Sequence, residues 1–189
     1  ATQCQTKQVF GFLDSLKKNV IMNKLNEEIM SGAKACGICE EWYNMMKEAD
    51  TDGLLDMYKR GIDFVIKHSF PENSYLLSHS TDEIRHKHLI FIDETVPEEG
   101  ENGIYVFNGA CRGKISFGRY SASTLHIRNK SQVVIAAKGL SKVFINVYDH
   151  SCVEIIQEDA AKVFVYSHGA ACHISSHEEC HGNVSVRKK

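Results

Sequence analysis

KVFINVYDHSCVEIIQEDAA (residues 142–161) runs directly into KVFVYSHGAACHISS (162–176). The second stretch begins as the first does, with Lys-Val-Phe, and both alternate apolar and polar residues. That alternation is the period of a half-buried strand. The likeness extends outward. Ile115, Ile135, Ile155 and Ile174 are 20, 20 and 19 residues apart. Leu125, Ile145 and Val165 are each 20 apart, and Val106, Ile127 and Val147 are 21 and 20 apart. Asn108, Asn129, Asp149 and then His168 or Gly169 mark a corner in each cycle. Asn and Asp suit corners because they tolerate left-handed backbone and bond their own main chain.

Self-similarity near twenty residues is a solenoid signal. One unit cannot bury its apolar face, but stacked units bury one another's. The spacing predicts four to five coils of strand, Asx corner, strand and polar corner. Val143, Ile145 and Val147 point inward, with Phe144, Asn146 and Tyr148 outward. An antiparallel sandwich would also give evenly spaced strands. The recurrence of residue identity favours the solenoid.

The left-handed hexapeptide pattern is absent, which favours a right-handed parallel β-helix. This half resembles right-handed β-helix proteins, a group that includes polysaccharide lyases, phage tail components and bactofilin filaments. The resemblance is architectural and covers about 100 residues. The whole chain is similar to small proteins of gut Bacteroidetes, a resemblance that supplies no functional residues.

The first half has another period. About three helices are expected, over 6–30, 34–49 and 51–68. They rest on Val9, Leu13, Leu16 and Val20, on Ile38, Trp42, Met45 and Met46, and on Leu54, Leu55, Tyr58, Ile62 and Val65. Ser31-Gly32 is the expected end of the first, and Phe70-Pro71 stops the third. The fold class is therefore α+β. Residues 1–74 form a helical region capping the solenoid, 75–88 a linker and 89–189 the solenoid.

Bulk properties narrow the function. The 189 residues carry a net charge of −2, which gives no global basic field for nucleic acid or anionic membrane. No apolar run is long enough to span a bilayer. The N-terminal ATQCQTKQVF lacks the order of a signal peptide. Seven cysteines at irregular spacing fit a reduced, cytoplasmic setting better than a disulfide framework.

Three motifs suggest chemistry. His177-Glu178-Glu179-Cys180-His181 matches H-E-x-x-H, which needs a helix to place both histidines on one face. The repeat assigns the segment to a corner with about two residues inserted. The third-ligand extension is replaced by Val184 and Arg187. The peptidase match is therefore read as false, and no catalytic residue is assigned. His173, His177, Cys180 and His181 remain a possible zinc set, in a cluster with His168 and Cys172. Cys172 is expected inward, above Val153. No other cofactor is expected. Cys36-Gly37-Ile38-Cys39 follows a helix rather than a strand, unlike thioredoxin sites. Asp50-Thr51-Asp52-Gly53 has Lys59 where an EF-hand needs its closing glutamate, so it reads as a helix cap.

The last candidate is the outward set Phe144, Phe164, Asn146 and Tyr166, with the phenylalanines stacked. Exposed aromatics can bind a partner or a sugar. The expected function is a non-enzymatic structural or protein-interaction module that binds a protein partner or self-associates through a solenoid end or face. A carbohydrate-binding or carbohydrate-active β-helix and a metal-binding protein are the alternatives.

Overall fold

A computed structural model describes residues 27–177 and 184–188. Two compact units divide between His79 and Ser80. Among the described residues no helix is long and apolar enough to cross a membrane.

Six helices occur among the described residues, where about three were expected. They are α1 (27–35), α2 (Glu40–Glu48), α3 (Thr51–Arg60), α4 (Ile62–His68), α5 (Asn73–His79) and α6 (Asp82–Lys87). Gly32 does not end α1. It lies inside the helix, and a Cβ there would meet the Phe70 ring. The glycine is a close-packing position rather than a stop. The stretch 34–49 is divided at Gly37, whose φ of +79° interrupts the helical turn. The helix expected over 51–68 is divided at Gly61, where a Cβ would crowd the Trp42 ring at 3.0 Å. The segment read as a linker, 75–88, carries most of α5 and all of α6. Thr81 caps α6 by accepting from the Ile84 N–H. At seven and six residues these helices are shorter than the window over which an apolar period is read.

The second unit is the parallel β-solenoid, of the right-handed type. Its strands alternate between two sheets. β1 (Ile90–Ile92), β3 (Gly103–Asn108), β5 (Ala122–Ile127), β7 (Lys142–Val147), β9 (Lys162–Ser167) and β11 (Val184–Lys188) pair in that order in the first sheet. The second is β2 (Glu99–Gly100), β4 (Arg112–Phe117), β6 (Gln132–Ala137), β8 (Cys152–Gln157) and β10 (His173–Ser176). Each coil contributes one strand to each sheet, giving about five coils. At the start of the unit, His86 of α6 stacks on Phe91 of β1 at 4.8 Å.

Alternate residues of β4 to β9 fill the interior. Leu125, Ile145 and Val165 form one fully buried ladder, and Ile115, Ile135 and Ile155 another. The first coils are filled by Phe91, Tyr105, Phe107 and Phe117. Gly100 makes room for the last ring, because a Cβ there would lie 2.2 Å from Phe117 Cε1.

The backbone unit is ten residues, half the period read from identity. Gly109, Arg119, Asn129, Gly139, Asp149 and Asp159 all have φ between 55° and 72°. From β3 to β8 each six-residue strand is therefore followed by a corner with one left-handed residue. Identity recurs over twenty because facing strands fill different sheets.

Several register assignments need correction. Phe107, not Val106, pairs with Ile127, and Val106 pairs with His126. The left-handed corner is accordingly Gly109 rather than Asn108. Ile174 pairs with Val153, and Ser176 with Ile155. Cys172 precedes this pairing, so it stands in line with Ser151 and not above Val153. Its Sγ still reaches the Val147 carbonyl at 3.3 Å. Paired positions are 21 apart on both sides of the His/Cys-rich segment, at His173↔Cys152 and Val184↔Val163. The extra residue therefore lies in the 168–171 corner, and none is inserted in HEECHG. Residue identity could not reveal this, because Ile174 competes equally well for either ladder.

Candidate functional site

The outward side of the first sheet carries the candidate surface. Thr124, Phe144 and Phe164 occupy one column, with His126, Asn146 and Tyr166 in the next. The Phe144 and Phe164 rings stack at 5.0 Å and 14°. That spacing matches the strand separation, about 4.8 Å. The rings therefore turn their faces along the solenoid axis onto each other, and their edges outward. Phe144 is 36% exposed.

Asn146 and Tyr166 are paired in register. The Asn146 Oδ1 is bonded to His168 Nε2 at 3.0 Å. Tyr148 lies between two imidazoles, 6.1 Å from His126 and 4.4 Å from His168, with all three rings nearly parallel. Its hydroxyl is 3.4 Å from His126 Nδ1. This side of the surface is a bonded polar stack, and Tyr148 is buried although it points outward.

The other flank is cationic. Lys142 and Lys162 are exposed and paired in register beside the phenylalanines. On the opposite side Arg187 continues the Asn146–Tyr166 column. The outward positions of β5, β7, β9 and β11 contain no acidic residue, in a chain with 24 of them. Sequence reading missed this column, although the identical Lys-Val-Phe starts contained it.

The proposed metal set is not brought together among the described residues. His173 and His177 are exposed, and Cys180 and His181 lie outside the described residues. His177 Nε2 is 2.7 Å from Glu154 Oε1. His168 is engaged with Asn146 and Tyr148, and Cys172 with corner carbonyls. Among the described residues no three potential ligands converge. The helix that HEECH would need also falls outside the described residues.

Cys36 and Cys39 occupy the turn between α1 and α2, both as free thiols. Asp50 caps α3, its Oδ1 accepting from the Gly53 N–H at 2.9 Å. Burial pushes the Cys111 thiol up, which keeps it protonated. In the first unit an open hollow is lined by Phe70, Glu72, Ser74, Tyr75 and Ser78. No protein family, curated protein or solved structure matched this chain in comparison.

Proposed function

We propose that the chain is a non-enzymatic interaction module that binds a protein partner through the outward face of its first sheet. The observation that carries this is the stacked, part-exposed Phe144–Phe164 pair on a rigid sheet. Apolar rings held on a fixed scaffold bind without the entropy cost of ordering a loop. The reading needs no cofactor and assigns no catalytic residue. Five free cysteines among the described residues agree with a reducing, cytoplasmic setting. Carbohydrate binding is the weaker alternative, because sugars pack on aromatic faces and here each ring covers the other's face.

A photoreactive phenylalanine analogue at position 144 tests the reading. A discrete cross-linked protein product is expected from position 144 and not from position 132, on the opposite sheet. Equal patterns from the two positions would sink it.

Metal binding has one observation of its own. His177 Nε2 and Glu154 Oε1 lie 2.7 Å apart, a two-donor pair on one outward face. Elemental analysis of untagged protein decides it: stoichiometric zinc supports the site, and its absence removes it.

A further inference from the structure

The cationic column beside the phenylalanines says what kind of partner this face fits. Lys142 and Lys162 are directly opposed on neighbouring parallel strands. Like charges so placed repel each other. Among the described residues neither has a carboxylate within ion-pair distance. Elsewhere on the solenoid an exposed lysine does have one: Lys138 Nζ is 3.0 Å from Glu158 Oε2. The Lys142–Lys162 pair thus lacks the relief that the fold gives Lys138. An anion laid across both would supply it.

We propose that this face binds an extended peptide segment carrying an acidic residue and, two positions away, an apolar one. The inference rests on the protein-interaction reading above and adds the partner's chemistry. Its spacing comes from the strand. Lys142 and Phe144 are two residues apart, as are Lys162 and Phe164, which places the paired positions about 6.6 Å apart. An extended peptide repeats on one side at the same interval. Run parallel to the strands, it sets a carboxylate over the lysines and an apolar side chain over the ring edges. Asn146, in the next column, would face a polar residue two positions further on. The acid-free outer face suits such a segment and repels a basic one.

A nucleic acid strand fits less well. Base stacking needs an open aromatic face, and the 5.0 Å stack closes the faces that Phe144 and Phe164 turn to each other.

The experiment selects binders to the full chain from a random peptide library. It then measures one synthetic decapeptide containing Glu-Ser-Leu-Ser-Glu against its permutation Glu-Leu-Ser-Ser-Glu. Arms with an oligothymidine and with phosphatidylserine vesicles test the other anionic chemistries. The selected pool is expected to be enriched in acidic-x-apolar spacing. The first decapeptide should bind more tightly than its permutation, and more weakly in high salt. Lys142→Glu with Lys162→Glu should lower its affinity about tenfold or more, with Lys142→Ala as the milder variant. Circular dichroism checks that each variant is folded.

Unchanged affinity in both lysine variants overturns the inference, as does a pool without acidic residues. If Phe144→Ala then still abolishes binding, the interaction reading survives and only the partner chemistry fails. If binding is insensitive to Phe144 and Phe164 as well, both fail. Preference for the oligonucleotide or the vesicles overturns the peptide assignment.

Discussion

Asp149 is tied to the coil before it: its Oδ2 accepts a hydrogen bond from the Asn129 backbone N–H at 2.8 Å. Asn129 does the same for the Gly109 N–H at 2.8 Å. On the other corner Asp159 Oδ2 accepts from the Gly139 N–H at 2.9 Å. Each side chain satisfies an amide that the sheet ladder does not reach, and each residue sits at positive φ. Asp149→Ala removes the acceptor and strains the backbone. A loss of about 1–2 kcal/mol is expected in denaturant unfolding. Asp149→Asn should be close to neutral and Asp149→Gly intermediate. An unchanged midpoint for Asp149→Ala would show that the corner bond adds nothing.

Neighbouring residues on β7 should respond unequally to truncation. Ile145 is fully buried in the central ladder, whereas Phe144 is 36% exposed. Ile145→Ala leaves a cavity between two coils and should cost about 2–5 kcal/mol. Phe144→Ala removes surface contact with Phe164 and should cost less than about 1.5 kcal/mol. Equal losses would contradict the inward and outward assignment.

Ser141 is buried, and its hydroxyl has no hydrogen-bond partner among the described residues. One coil later the same column holds Ala161, also fully buried. Ser141→Ala should therefore leave stability unchanged or raise it by about 1 kcal/mol. A clear loss of stability would mean that the hydroxyl is bonded in solution.

Burial, with a smaller contribution from the Glu28 charge, pushes the Tyr75 phenol up to about 12 from an ordinary value of 10.0. The folded chain then holds this proton more tightly than the unfolded one. Its contribution to stability is fully present below pH 10 and is lost as pH rises through 12. Alkaline titration of phenolate absorbance should show a tyrosine titrating near 12 that disappears in Tyr75→Phe. Identical titration curves for the two proteins would remove this assignment.

The solenoid was legible because every coil repeats one requirement, an apolar side chain at most inward positions. Leu125, Ile145 and Val165 fall into register from their spacing alone. Register failed where two apolar residues competed for one slot. Val106 and Phe107 are both apolar, and only the sheet pairing shows which turns inward. The 168–171 corner absorbs one residue, so identity placed Ile174 two positions out. The helices were misjudged at Gly32, Gly37 and Gly61, since a glycine reads alike in a sequence whether it stops a helix, turns it or admits a ring.

The candidate surface was half legible. The Phe144–Phe164 stack follows from a period of twenty, and Lys142 with Lys162 follows from the same period once the column is drawn. Sequence by itself determined the strand period, the ladders Leu125–Ile145–Val165 and Ile115–Ile135–Ile155, the Asp50 cap and the Phe144–Phe164 stack. Those depend on local chemistry repeated at fixed spacing. Tertiary structure alone decided the ten-residue corner, the bond from Asp149 to Asn129, the burial of outward Tyr148 and the distance from Glu154 to His177. These depend on which residues of separate coils come within a few ångströms, and spacing along the chain does not encode that distance.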